Sequence, residues 1–318
     1  MKPAIIIKVY DRCQHLKQCL ESLERCKDAE SFHVIVGSDA ALKKEHEERI
    51  SVVRRYLKHK EGAHGFKKLS VLCHNDNLGE KGNGGACHLY AKSSGHESFI
   101  LMEDDVVVGL YFLKFMSESL AAYSDQPDLI AVNGYLDHDL TNAPKKPFLY
   151  NRFSAYGYGS WYAKWDLVQK KRDSINYSTR ILLDFTRFRK VAKFSPNAKS
   201  YPFLAENFYR AGDIETGLMM EFENLWVLKP PLSLTANRGM DGSGLRSGVN
   251  ASLQAMVASD DPIDIPSSSE LESVRFETVK PRIDIKYILE NWLSFLIYNY
   301  FPFGFSVLLK LRSLKKSL

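Results

Sequence analysis

Three carboxylates in a row, Glu103-Asp104-Asp105, follow directly on the apolar run Ser98-Phe99-Ile100-Leu101-Met102. Adjacent carboxylates repel one another, and a buried strand has no need of them at its mouth. A divalent cation carrying a diphosphate would balance them, because Mg²⁺ and Mn²⁺ take one or two protein carboxylates and complete their shell with phosphate oxygens and water. A hydroxylated ribose could engage the others. The competing assignment is a solvated acidic turn that caps the helix starting near Leu110. Upstream, Asn77-Leu78-Gly79-Glu80-Lys81-Gly82-Asn83-Gly84-Gly85 is glycine-rich and follows a strand, so its backbone N–H groups and Lys81 could approach a phosphate or a base. It lacks the Gly-Lys-Ser/Thr of a P-loop, and Cys87 stands where G-x-G-x-x-G requires its last glycine. Nine histidines without paired-ligand spacing imply no zinc site. The five cysteines, Cys13, Cys19, Cys26, Cys73 and Cys87, form no C-x-x-C pair, which excludes a disulfide framework and fits a reducing compartment.

The elements that must position these groups alternate. Ala4 to Val9 is apolar without alternation, the pattern of a strand buried on both faces. A helical stripe from Arg12 to Cys26 follows, with Cys13, Leu16, Cys19, Leu20, Leu23 and Cys26 at three- and four-residue steps. The unit returns as His33 to Gly37 with a helix over Lys43 to Lys60, as Leu69 to Cys73 with a helix near Gly84 to Lys92, and as Ser98 to Met102 with Leu110 to Tyr123; Leu129 to Val132 begins another strand. This order predicts an α/β fold with a mostly parallel sheet flanked by helices, whose ligands bind beyond the carboxyl ends of the strands. Past residue 140 the rhythm breaks. An aromatic stretch runs from Phe148 to Trp165, helices are expected near Ile181 to Ala192 and Asp213 to Glu223, and residues 241–280, rich in Gly, Ser, Asp and Pro, read as a flexible loop or linker.

The 318 residues are 45% hydrophobic and 25% charged, enough for a large globular core. The formal charge of +5 is mild and evenly spread, so no nucleic-acid partner is expected. Met1-Lys2-Pro3 and the short run after it lack a signal-peptide pattern, which points to the cytoplasm. Residues 281–318 are a different material. Between Lys286 and Lys310 the only charge is Glu290, while Trp292, Phe295, Tyr298, Tyr300, Phe301, Phe303 and Phe305 crowd the stretch, and Lys310, Arg312, Lys315 and Lys316 close it. Pro302, Gly304, Asn291 and Asn299 oppose a spanning helix. An amphipathic helical tail lying on the inner, anionic face of the cell membrane fits this composition; a helix packed on its own domain is the alternative.

Several of these motifs together resemble GT-A fold, Rossmann-like nucleotide-sugar glycosyltransferases: Tyr10-Asp11-Arg12 after the first strand, Ser38-Asp39 after the second, the 77–82 run before a helix, and Ile100-Leu101-Met102-Glu103-Asp104-Asp105. Within that fold the chain is similar to enzymes of the N-acetylglucosaminyltransferase I type, through Glu-Asp-Asp, and to bacterial glycan-assembly enzymes with a Trp-Gly-Trp-Ala-Thr-Trp box. That box here reads Phe153-Ser154-Ala155-Tyr156-Gly157-Tyr158-Gly159-Ser160-Trp161. The resemblance covers roughly residues 3 to 240, read as a nucleotide-sugar half over 1–135 and an acceptor half over 136–240.

The resemblance implies a metal-dependent, inverting transfer of a hexosyl or N-acetylhexosaminyl group from a nucleotide diphosphate sugar, UDP-linked first, to a lipid-linked or surface glycan. It makes Asp105 the ligand of Mn²⁺ or Mg²⁺ and sets Glu103 and Asp104 near ribose and sugar. Arg12 and Asp39 would hold the uracil or its equivalent, and Tyr10, Asn77 and Lys81 fall to the nucleotide sugar; Arg12 could instead only pair with Asp11, and Asp39 could only cap a turn. An inverting enzyme needs a carboxylate to take the acceptor's proton. Asp213 stands in the corresponding place before a helix, with Glu215 next in line, and a plain N-cap is the other reading of Asp213. Tyr156, Tyr158 and Trp161 would present rings to the acceptor, while Trp165 fits a core wedge better. Pro231 to Gly239 resembles the family strand ending in Asn-x-Gly. The Thr-His pair expected after it is replaced by Gly242 to Gly248, where Arg246 either meets the leaving diphosphate or remains in solvent. Two other readings compete: a catalytically inactive, membrane-associated carbohydrate-binding scaffold, and a sugar-phosphate nucleotidyltransferase, whose Gly-x-Gly-Thr-Arg start Tyr10-Asp11-Arg12-Cys13 does not provide.

Overall fold

A strand hidden on both faces must be apolar at successive positions, and β1 (Ala4–Val9) shows how that burial is achieved. Ile5, Ile7 and Val9 pack into one cluster with Leu16, Cys19, Leu20 and Leu23 of α1 (Cys13–Glu24). Ile6, turned to the other face by the two-residue strand period, is equally buried. Each such side chain contributes about 1.5–3 kcal/mol by leaving water. The computed structural model describes residues 1–137, 140, 143–175, 212–244 and 249–273.

The described chain forms two compact units. The first draws on 1–150, 154–167 and 226–276. After α1 come β2 (His33–Ser38), α2 (Glu47–Glu61), β3 (Lys68–Cys73), α3 (Gly79–Ser93), β4 (Ser98–Glu103), β5 (Val106–Val108), α4 (Phe112–Ala122) and β6 (Leu129–Asn133). They are followed by β7 (Phe148–Tyr150), β8 (Tyr158–Trp161), α5 (Tyr162–Ser174), α6 (Gly212–Glu223), β9 (Trp226–Lys229), β10 (Thr235–Asn237), α7 (Ala251–Gln254) and α8 (Ser268–Ser273). Among the described residues the sheet has eight strands in the order β3-β2-β1-β4-β8-β6-β9-β7. β3, β2, β1 and β4 are parallel, β8 runs antiparallel to both β4 and β6, β6 and β9 are parallel, and β7 closes the edge antiparallel. The α/β architecture and the parallel half-sheet are as the alternation predicts.

α2 carries Glu47 and Glu48 in its first turn and Lys58, His59 and Lys60 in its last, matching the helix dipole, and buries Ile50, Val53 and Leu57. The register Ile7↔Met102 and Lys8↔Glu103 brings the ends of β1 and β4 side by side. A short antiparallel ribbon, β5 with β10, sets Asn237 opposite Val106, directly beyond the carboxylate run.

Two expectations need correction. The glycine-rich run is not a loop: α3 starts at Gly79 instead of near Gly84, with Asn83 and Cys87 facing β2. The segment 249–273, expected as a flexible linker, is packed on the first unit. Leu271 is buried, Ile263 and Ile265 lie against the core, Asp260 accepts from the Leu110 N–H at 2.7 Å, and the Tyr123 hydroxyl donates to the Pro266 carbonyl. The described residues 151–153, 168–175 and 212–225 fall in a second unit. Its described part holds α6, where Arg172 donates to the Gly212 carbonyl and to Thr216 Oγ1, both at 3.1 Å. The helix expected near 181–192, Arg246 and the 281–318 tail lie outside the described residues. Among the described residues no helix is long and apolar enough to cross a membrane.

The close approach of α3 to β2 depends on Gly37. A Cβ there would lie 2.1 Å from Asn83 Oδ1 and 2.5 Å from Cys87 Sγ, and the Asn83 amide already donates to the Gly37 carbonyl at 2.9 Å. Gly37→Ala should therefore cost about 1–3 kcal/mol, the usual penalty of overpacking, seen as a lower urea midpoint; an unchanged midpoint would mean that α3 can shift freely on the sheet.

Candidate functional site

The turn Asp104-Asp105 leaves β4 and enters β5, and both side chains are buried. Burial of adjacent carboxylates demands a counter-charge, and Arg12, three residues beyond the end of β1, supplies it. Its guanidinium donates to both oxygens of Asp104, through Nε to Oδ2 at 3.3 Å and through a terminal nitrogen to Oδ1, and it reaches Asp105 Oδ2 at 2.8 Å. The local partner that the sequence offers is taken elsewhere: Asp11 pairs with Arg49 at 2.9 Å. Burial opposes the charge on Arg12, but Asp104 and Asp105 outweigh it and raise its pKa. Asp104 is driven the other way. Desolvation pushes its carboxyl up to about 7 against the attraction of Arg12, with Asp105 and Glu103 adding to the rise.

Asp105 is seated from behind. Its Oδ1 accepts from the Asn237 amide at 3.3 Å, and its carbonyl accepts from the Arg238 N–H at 2.7 Å. Gly239 makes room, since a Cβ there would fall 2.0 Å from Asp105 Oδ2. Glu103, partly exposed, meets Lys8 Nζ at 3.4 Å, and Glu80 meets the same ammonium at 3.0 Å. Sequence reasoning gave no role to Lys8 or Asn237. A lysine inside an otherwise apolar strand and the Asn-x-Gly at 237–239 were the available signals.

Asp39 and Asn77 come together as well. Asp39 Oδ1 accepts from the backbone N–H of Leu78 at 2.8 Å and of Ala40 at 2.9 Å, while Asn77 Nδ2 reaches Asp39 Oδ2 at 3.3 Å and the Ala40 carbonyl at 2.7 Å. These bonds tie the end of β2 to the start of α3. Tyr10 accepts from the Leu42 N–H at 2.9 Å and shares a 2.6 Å hydrogen bond with His46 Nδ1. Lys81 is exposed on the first turn of α3.

The aromatic box is largely consumed by packing, which corrects two expected acceptor contacts. Trp161 donates Nε1–H to the Leu120 carbonyl at 2.8 Å and belongs to the main core. Tyr158 is buried against Phe99 and Trp165. Trp165 is the core wedge expected of it. Tyr156 is half-buried and stands edge-on to Tyr135, with centroids 5.1 Å apart. Within the second unit, Asp213 and Glu215 both lie in the first turn of α6, Asp213 exposed and Glu215 buried.

Mn²⁺ and Mg²⁺ suit hard carboxylate oxygens such as those of Asp104 and Asp105. Among the described residues no three His, Cys, Asp or Glu side chains converge as a ready cage. The chemistry of the donor set therefore fits a cation held by one or two carboxylates and completed by phosphate oxygens, with Arg12 now standing between the carboxylates.

No family model and no curated protein matches the chain. Solved structures do align with it. A crystal structure of S. aureus TarS is similar at 16% identity over 54% of this chain and 30% of that one, TM-score 0.35. TarS 1-349 aligns at 15% identity over 72% and 60%, TM-score 0.38, and the same fragment in complex with UDP-GlcNAc at 17% over 50% and 45%, TM-score 0.34. The chain thus spans less than two thirds of each of these neighbours.

A carboxyl held near 7 is protonated in the fold but ionised in the unfolded chain between about pH 4 and 7. Its contribution to stability is present below pH 4 and is lost as pH rises to about 7. His33 and His88, lowered to about 4 chiefly by burial, act oppositely and gain stability as pH rises from 4 to about 6.5. The difference between the wild-type protein and Asp104→Asn in EDTA isolates the carboxyl. The wild-type urea midpoint should fall relative to the variant across pH 4–7 and run parallel above pH 8; parallel curves throughout would remove the raised carboxyl.

Proposed function

We propose that the chain is a metal-dependent, inverting glycosyltransferase of the GT-A type, moving a sugar from a nucleotide diphosphate donor, UDP-linked first, to a lipid-linked or surface glycan. The observation that carries this reading is the meeting of Arg12, Asp104 and Asp105 at the carboxyl ends of the adjacent parallel strands β1 and β4, the edge where α/β sheets bind ligands. The narrower likeness to the N-acetylglucosaminyltransferase I enzymes rests on the Glu103-Asp104-Asp105 motif.

In this reading Tyr10, Asp39 and Asn77 shape the floor for the base at the ends of β1 and β2. Lys81 adds a cation at the α3 start, and Glu103 and Asp104 take ribose and sugar hydroxyls. Asp105 would hold Mn²⁺ or Mg²⁺, which when bound neutralises charge on the leaving diphosphate. The acceptor oxygen attacks the anomeric carbon as the bond to the nucleotide breaks, and Asp213 takes the hydroxyl proton, with Glu215 as the second candidate. Of the box aromatics, Tyr156 is the one left to meet an acceptor, and Arg246 is a second cation for the diphosphate. The 281–318 tail would hold the enzyme on the inner membrane face, near a lipid-linked acceptor. The inactive scaffold and the nucleotidyltransferase are the readings to beat.

A panel of nucleotide sugars with Mn²⁺ should contain one that raises the melting temperature and is slowly hydrolysed. Binding without turnover would favour the scaffold, and turnover of a sugar phosphate with a nucleoside triphosphate would favour the nucleotidyltransferase. Asp105→Asn should abolish metal-dependent turnover while leaving the fold intact. Asp213→Asn should lower transfer at least about a hundredfold with donor affinity unchanged; if Glu215→Gln alone does so, the roles exchange.

Removing residues 281–318 should release the protein from anionic vesicles and spare donor hydrolysis. Unfolding of the truncated chain, with no vesicle binding by the full chain, would make the tail a packed helix.

A further inference from the structure

Asp104 and Asp105 are neighbours in the chain, both buried, and they share the guanidinium of Arg12. The carboxylates are fixed. The β5–β10 ribbon, the Arg238 N–H and the Asn237 amide hold Asp105, and the missing Cβ of Gly239 lets that backbone close on it. Lys8, the nearby ammonium, is engaged by Glu80 and Glu103. Arg12 differs from these groups. It stands on the short connection between β1 and α1, and its side chain is 18% exposed against 6% for Asp104 and 9% for Asp105. A long side chain at the solvent edge is the partner that can leave.

We propose that Arg12 is a displaceable counter-cation: without nucleotide it occupies the seat of the divalent metal at Asp105, and the donor's diphosphate draws it away, so that metal enters with the nucleotide or after it. This rests on the donor site proposed above and adds an order of binding to it. Two cations crowded on Asp105 Oδ2 would repel each other. The guanidinium lies 2.8 Å from Asp105 Oδ2, whereas a bound Mg²⁺ would need about 2.1 Å to the same carboxylate and would repel it. A diphosphate offers the guanidinium what Asp104 offers now, paired anionic oxygens matched to its planar fork. Arg12 exchanges one anion for another, and the two charges of the metal take its place beside Asp105 and the neighbouring Asp104.

The test uses the full chain, with Mn²⁺ uptake followed by loss of the free-ion EPR signal and UDP binding followed by calorimetry in EDTA. Arg12→Gln should bind Mn²⁺ alone about 5–150-fold more tightly than wild type, the usual span of a coupling between sites, and should bind UDP in EDTA more weakly. Its affinity for uridine should match wild type. Equal Mn²⁺ uptake by both proteins, or unchanged UDP affinity in EDTA, overturns the proposal. So does a loss of uridine affinity as large as that of UDP, which makes Arg12 a reader of the base. If Arg12→Gln does not fold, the wild type decides alone: Mn²⁺ should leave its melting temperature unchanged without UDP and raise it with UDP, and an equal rise in both conditions overturns the proposal. Failure of UDP and of every other nucleoside diphosphate to bind in any condition sinks the donor reading itself. UDP binding with Mn²⁺ uptake indifferent to Arg12 sinks only the order.

Discussion

One guanidinium between two buried, adjacent carboxylates is the constraint around which the first unit is arranged. Removing either carboxylate's share of Arg12 would leave a charge in a low-dielectric place, a loss far larger than that of an ordinary surface pair. The parallel register of β1 with β4 keeps Arg12 within reach of the turn after β4. A slip of one residue would also turn each β1 side chain to the other face, driving Lys8 into the apolar cluster that Ile5, Ile7 and Val9 share with α1. Hydrophobic burial and the charge cluster therefore specify the same register, and each makes the other's alternatives costly.

The strand–helix order was readable because burial on both faces leaves runs such as Ala4–Val9 without alternation, while α1 keeps a clear helical stripe. Asp104 and Asp105 stood out for a related reason, since carboxylates at the mouth of such a strand have no packing role. Their partner was legible only as a nearby cation. Sequence spacing offered Asp11 as a local partner for Arg12, and only the sheet register shows that Arg12 reaches 92 and 93 residues along the chain. β5 and β10, three residues each, are too short to display a period, so the seat behind Asp105 left no trace beyond Asn237 and Gly239.

Composition misled where tertiary contacts overrode it. Glycines at 79, 82, 84 and 85 argue against a helix by propensity, but the close packing of α3 on β2 through Gly37 and Asn83 outweighs the few kcal/mol involved. The polar, proline-containing stretch 249–273 resembles a linker until Asp260 and Pro266 are seen bonding to Leu110 and Tyr123. Tyr158 and Trp161 fell into the same ambiguity, because a ring that could cover a sugar is equally suited to fill a core. The indole N–H of Trp161 meets a backbone carbonyl there, which is what makes its burial tolerable.

The two sides of the strand mouths differ in how firmly they are set. At the ends of β1 and β2, Tyr10, Asp39 and Asn77 are bound to backbone groups of Leu42, Leu78 and Ala40, hydrogen bonds already made that gain nothing by rearranging. At the end of β4 the groups are charged and out of balance: Asp104 is pushed toward protonation although it holds both of its oxygens on Arg12. A rigid, hydrogen-bonded side suits recognition, since little ordering remains to be done when a ligand arrives. A side short of positive charge suits an incoming cation, because an added charge there relieves repulsion already present. Preorganisation and charge imbalance thus occupy neighbouring strand ends of one sheet, and the register of β1 against β2 and β4 keeps them adjacent.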